Sequence, residues 1–240
     1  MLVALIPRAH KVWYYAALGD FHFILPDVRG TVIEQYYRAS EKWKMLDNGT
    51  YETGQPLDAE EYVAYAKFLQ ADEVVAPDII YDRKKTFELT KHFVESYSSR
   101  KFAIAAVPQA RSPSEWIEAY TEMVKLPVDV ICIPIHLQKR FGCRPLLVKK
   151  LREKGLWNNT LQHHLLGLDN FSELKMYPPG TIRSVDTSLP FTLAYHGLSS
   201  TDTPKSRVPV DATFDQKMCE RLQDLIMELL NIAHGVSYGT

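Results

Sequence analysis

The sequence predicts an α/β fold, a TIM-type (β/α)8 barrel built as a single domain, on three observations. Eight short apolar runs rich in Val, Ile and Phe recur along the chain. Helix-like stretches separate most of them, the alternation that a parallel sheet with crossover helices requires. The length, 240 residues of which 46% are hydrophobic, supports one full core, and an undivided barrel of about 250 residues is among the folds of this size.

The runs fall at 2–6, 21–25, 43–47, 73–77, 102–107, 129–135, 163–168 and 181–186. Residues 8–20 are too few for an ordinary crossover helix, which leaves open whether the first run joins the barrel or forms a hairpin beside it. Asp58 opens a helix that runs to about residue 70, with Glu61 three residues on and Tyr62, Val63, Ala66 and Leu69 at helical spacing. Ser112-Pro113-Ser114-Glu115 opens another, with Trp116, Tyr120 and Met123 on one face. Residues 198–214, rich in Ser, Thr, Pro and Asp, read as an active-site loop. The C-terminal helix, 215–234, carries Leu222, Leu225, Ile226, Leu229 and Leu230 as an apolar stripe, to be buried on the barrel exterior or in a homodimer.

A formal net charge of −1 and a pI near 6.7 exclude a general coat of positive charge. Any nucleic-acid contact must then come from a local patch. Cys132, Cys143 and Cys219 form no C-x-x-C pair, so no metal site is expected. The apolar start ends at Pro7 and Arg8, and no run approaches the ~18 apolar residues of a membrane span. A soluble, cytoplasmic protein with no membrane association is expected.

Three aspartates each close an apolar run: Asp47, Asp78 and Asp186. Strand ends are where a parallel barrel places its chemistry. Two carboxylates facing one acetal-like carbon can run a double displacement, one as nucleophile and the other moving the proton, and a third can accept from the paired N–H donors of guanine. Each acid also has a structural reading: Asp47 as the opening of a turn before Asn48-Gly49, Asp78 as the cap of a helix starting near Asp82, and Asp186 as a turn acid before Thr187-Ser188. His163 and His164 have no partner at ligand spacing and read as core residues.

Leu46-Asp47-Asn48-Gly49-Thr50-Tyr51-Glu52 resembles the T-D-S-G-G-F-Q segment of the tRNA-guanine transglycosylase superfamily. Ala106-Val107-Pro108-Gln109-Ala110 is similar to its G-I-V-Q-G-G strand end, His164-Leu165-Leu166-Gly167-Leu168 to Y-L-M-G-V-G, and Ser184-Val185-Asp186-Thr187-Ser188-Leu189-Pro190 to F-D-C-V-L-P. With the Asp78 strand end, five segments resemble the family in its own order over residues 46–190.

The resemblance implies a TIM barrel with Asp186 as nucleophile and Asp47 as general acid/base. It makes Asp78 and Gln109 base-edge contacts, Tyr51 the stacking aromatic, and Gly167 a point of close backbone approach. The family's C-x-C-x-x-C zinc site has no counterpart, since only Cys219 follows Asp186. No zinc subdomain, metal or other cofactor is therefore expected. The branch it resembles most is the 7-deazapurine DNA transglycosylases of phages and bacterial modification clusters. They exchange guanine in DNA for a 7-deazaguanine derivative, which implies DNA and a free base such as 7-cyano-7-deazaguanine as partners.

Such chemistry needs the target guanine out of the duplex stack, and the duplex held by phosphate contacts. The segment 136–155 supplies candidate cations, Lys139, Arg140, Arg144, Lys149 and Lys150, with Lys205 and Arg207 in the later loop; the alternative is a solvated helix face. Three other functions fit the same motifs. They are an RNA-directed transglycosylase, a noncatalytic nucleic-acid-binding subunit and a sugar hydrolase.

Overall fold

The computed structural model describes residues 1–7, 9–97 and 101–236, with His10 described by its backbone alone. Eight strands appear: β1 (Leu2–Leu5), β2 (His22–Ile24), β3 (Lys44–Leu46), β4 (Glu73–Val75), β5 (Ala103–Ala106), β6 (Val130–Pro134), β7 (Gln162–Leu166) and β8 (Ser184–Thr187). They form one sheet in the order β1-β8-β7-β6-β5-β4-β3-β2. β1 pairs in parallel with β8, as do β3 with β4, β4 with β5, and β5 with β6. A parallel bridge between Ala4 and Phe21 links the sheet's two end members. This is the TIM-type (β/α)8 arrangement, and each of the eight apolar runs overlaps one strand.

The helices are α1 (Val32–Ala39), α2 (Thr50–Thr53), α3 (Ala59–Leu69), α4 (Arg83–Ser96), α5 (Pro113–Met123), α6 (His136–Phe141), α7 (Arg144–Glu153), α8 (Leu189–His196) and α9 (Gln216–His234). Their starts follow local chemistry. Asp58, Asp82, Ser112 and Asp215 accept first-turn N–H groups of α3, α4, α5 and α9, the capping that orphan amides need. Asp82, not Asp78, caps α4, which removes the capping alternative for Asp78. The first connection is a 3-10 helix, His10–Leu18, broken at Val12, so the run at 2–6 is a full sheet member without an ordinary crossover helix.

Backbone contacts divide the chain into two compact units, Phe23–His164 and Met1–His22 with Leu165–Thr240. In the first, Met45, Leu46, Val74, Val75, Ile104, Ala105 and Ile131 are buried, and Tyr62, Phe93, Trp116 and Tyr120 from α3, α4 and α5 are buried with them. Continuous apolar strands are what a sheet covered on both faces demands. His163 and His164 are both buried; His163 Nε2 meets the Tyr120 hydroxyl at 3.0 Å, and His164 stacks on Phe23 at 5.6 Å. In the second unit, α9 packs on α8 and β1. Its Leu222, Leu225, Ile226 and Leu229 are thereby buried by this chain's own elements.

A repeated device fixes the sheet's amino-terminal edge. Asp20, Asp72 and Asp129 each lie just before an even-numbered strand, and each carboxylate accepts the backbone N–H of the preceding strand, from Val3, Lys44 and Ile104, at 2.8 Å. These acids fasten one strand to the next. The aspartates of interest lie at the other ends of their strands. Among the described residues, no helix is long and apolar enough to cross a membrane.

Candidate functional site

Asp47 directly follows β3, and its backbone N–H donates to the Ile24 carbonyl at 2.9 Å. Its Oδ2 accepts from the N–H of Gly49 at 3.1 Å, and the side chain is nearly buried. This is the turn geometry foreseen as the structural reading of Asp47. Gly49, at φ 77°, sets the chain for α2. Asn48 then turns inward to the next strand end. Its Nδ2 donates to the Ala76 carbonyl at 2.8 Å and to Asp78 Oδ1 at 2.6 Å, while its Oδ1 accepts from Thr50 N–H at 2.9 Å.

Asp78 lies three residues past β4 and is 4% exposed. Gln109, three residues past β5 and equally buried, donates its Nε2 to Asp78 Oδ2 at 2.5 Å and accepts the Tyr81 N–H at Oε1 over 3.3 Å. Each carboxylate oxygen therefore accepts one side-chain amide, and the Thr50 side chain is a further partner of the carboxylate. Burial raises the Asp78 pKa, and the Asn48, Gln109 and Thr50 hydrogen bonds oppose that rise. Ends of three successive strands thus hold one carboxylate in a fixed orientation, from residues 48, 78 and 109. Asn48 was not singled out from the sequence; its place between Asp47 and Gly49 was the only cue.

Tyr62 of α3 supports the same edge. Its hydroxyl lies between the carbonyls of Leu46, at 2.8 Å, and Val75, at 3.0 Å, pinning the ends of β3 and β4. Tyr51 stands on α2, half exposed. Tyr81, also missed, adopts a left-handed φ of 64°, a conformation uncommon for a non-glycine residue and enriched at functional sites. Its carbonyl accepts from Arg111 Nε at 3.2 Å, and its ring stands edge-on to the His136 imidazole at 4.9 Å.

In the unit holding β1 and β8, Asp186 is the third residue of β8, so the strand runs one residue past it. It is opposite Ala4 of β1 and 5% exposed. The N–H of Gly167, immediately after β7, donates to Asp186 Oδ1 at 3.0 Å. Gly167 has a φ of 71°, a left-handed turn that aims its amide at the carboxylate. The resemblance assigned these two residues to separate roles; here they form one contact.

The cationic candidates divide. Lys139 and Arg140 are exposed on α6 directly beyond β6, with the Arg140 guanidinium 5.1 Å over the Tyr81 ring. Lys149 and Lys150 are exposed on α7, where Lys149 pairs with Glu153 at 3.8 Å. Lys205 and Arg207 are exposed in the 198–214 segment, whose start is fastened to α9 by Ser200–Glu228 and Arg221–Leu198 hydrogen bonds. Arg144 requires correction. It is fully buried, and its Nη1 donates to the Ile133 carbonyl at 3.0 Å. The sequence placed it in a run of cations, but at the start of α7 its guanidinium turns inward to hold β6, out of reach of a phosphate.

Among the described residues, no group of three or more His, Cys, Asp or Glu side chains is placed to hold a metal ion. The chemistry on offer is that of oriented carboxylates and amides. No protein-family model matches the chain, and no curated protein matches it.

Proposed function

We propose that this protein is a DNA-guanine transglycosylase that exchanges guanine for a 7-deazaguanine derivative by double displacement. The observation that carries the reading is the buried Asp78 carboxylate, oriented by Asn48 and Gln109 at the ends of β3, β4 and β5. A carboxylate so fixed suits the adjacent N1–H and 2-amino donors of guanine. Gln109 lies one strand further, where an amide suits the rest of that edge. Tyr51 supplies an aromatic face for the flipped base.

In the proposed reaction the Asp186 carboxylate attacks C1′ of the flipped nucleotide. The C1′–N9 bond breaks, its electron pair leaves with guanine, and the protonated Asp47 carboxyl supplies the proton. The incoming base returns a proton from N9 to Asp47, and N9 then attacks C1′ and releases Asp186. Atoms and charge balance without an external energy source. Lys139, Arg140, Lys205 and Arg207 are the proposed phosphate contacts, and a free 7-deazaguanine base is the second substrate.

The experiment incubates the protein with DNA labelled in guanine and a panel of 7-substituted deazaguanines, beside Asp186→Ala and Asp47→Ala. Label release by the wild type and its loss in both variants is expected. Release that persists in Asp186→Ala overturns the nucleophile assignment. Incorporation into tRNA but not DNA selects an RNA-directed transglycosylase, and turnover of simple glycosides without an acceptor base selects a hydrolase.

A further inference from the structure

His136 lies two residues past β6, as Gln109 lies three past β5 and Asp78 three past β4. Its imidazole hydrogen-bonds the backbone of Ala110, the residue next to Gln109. Nε2 is buried and, among the described residues, has no hydrogen-bond partner. A carbonyl only accepts, so the Ala110 contact is made by Nδ1–H, and Nε2 of the neutral ring is left as a lone-pair acceptor. Burial, then the charges of Arg144 and Arg140, push the imidazole pKa down from 6.5 to about 4. The ring is therefore neutral at physiological pH, and its acceptor is permanent.

The strand order supplies the direction. β4, β5 and β6 are consecutive neighbours in the sheet, so Asp78, Gln109 and His136 form a series along one edge. A purine held at N1 and the 2-amino group by Asp78 presents O6 next and position 7 after it. We propose, building on the transglycosylase reading above, that His136 Nε2 reads the position-7 substituent of the incoming base and selects an uncharged N–H donor such as a carboxamide.

A nitrile at that position would set lone pair against lone pair. An ammonium would donate, but it would stand among the same two guanidinium groups that disfavour a proton on His136. A carboxamide N–H satisfies the nitrogen without adding charge. Tyr81 packs edge-on against the imidazole. His136 is thus a specificity-determining residue, separate from the groups that break and make the glycosidic bond.

The test is calorimetric titration of the full-length protein with guanine and with 7-carboxamido-, 7-cyano- and 7-aminomethyl-7-deazaguanine, for the wild type, His136→Phe and Asp78→Asn. The wild type is expected to favour the carboxamide by about tenfold or more over the other two substituents, the scale of one satisfied hydrogen bond. His136→Phe should erase that preference and keep guanine affinity; Asp78→Asn should weaken all four ligands. As a check independent of the variant's folding, the Nε2 nitrogen resonance of His136 in the wild type should move on saturation with the carboxamide and not with the nitrile. A preference that is absent from the wild type or survives in His136→Phe overturns the inference, as does an unmoved resonance. Binding of none of the four bases by the wild type overturns instead the transglycosylase reading, and the inference falls with it.

Discussion

The backbone N–H of Gly167 donates to Oδ1 of Asp186 across 3.0 Å, from a glycine at φ 71°. The donor turns toward the carboxylate only because the chain leaves β7 in a left-handed conformation. An L side chain there costs about 1–2 kcal/mol. Gly167→Ala is expected to lose that much stability in urea titration, and base exchange should fall with it. Gly30 provides the control, since it has a φ of 77° with open space around it. Gly30→Ala should lose comparable stability and keep its exchange rate per folded molecule.

Asp78→Ala removes the acceptor of Gln109 Nε2, while Asn48 Nδ2 keeps the Ala76 carbonyl. One buried donor without a partner costs about 1–3 kcal/mol. The pH dependence has a definite sign. The Asp78 pKa is raised in the folded state by burial, so the native protein holds this proton more tightly than the unfolded chain does. The residue's contribution to stability is greatest at low pH and declines as pH rises through its folded pKa. The stability gap between wild type and Asp78→Ala should therefore widen on acidification, measured by urea titration of both proteins at each pH; a narrowing gap contradicts the assignment.

His136 carries the opposite sign. Its folded pKa is lowered to about 4 from 6.5, so between those values the unfolded chain binds a proton that the native protein does not. Stability attributable to this group is fully retained above pH 6.5 and lost as pH falls toward 4. The full loss is on the order of 3 kcal/mol, less where solvent reaches the ring. The stability difference between wild type and His136→Phe, followed from pH 7 to about 4, should shift toward the variant.

Arg144 and its neighbours separate folding from binding. Arg144→Ala deletes a fully buried guanidinium that holds the Ile133 carbonyl, and a loss of about 2–4 kcal/mol is expected from the vacated space and the freed carbonyl. Lys139→Glu with Arg140→Glu alters exposed side chains on α6. That double variant should keep its stability within about 1 kcal/mol, lose DNA affinity in a salt-dependent manner, and bind guanine as before. Unchanged DNA affinity removes this patch from the interface.

Periodicity made the strands legible. Runs such as Val130-Ile131-Cys132-Ile133 are apolar at every position because a sheet covered on both faces leaves no polar side, and Asp58, Ser112 and Asp215 mark helix starts because their short side chains reach first-turn amides. The acids that close apolar runs were legible as strand-end residues in the same way, although Asp47 also serves the turn at Gly49. Asn48, Tyr81 and His136 were not, since their significance lies in partners 26 or more residues away, as with Asn48 and Ala76 or Asp78, or His136 and Ala110.

The order of apolar runs and caps, acting through local hydrogen bonds and burial, by itself determined the eight strands and the helices opened by Asp58, Ser112 and Asp215. Only the tertiary structure decided which charges the runs expose or bury. It turned Arg144 inward and left Arg140 outside, although both stand in one basic stretch. It also set Asp20, Asp72 and Asp129 to fastening strands, while Asp78 was locked between two amides. The physical reason is that a carboxylate's role is fixed by the donors that surround it, and those donors come from distant parts of the chain.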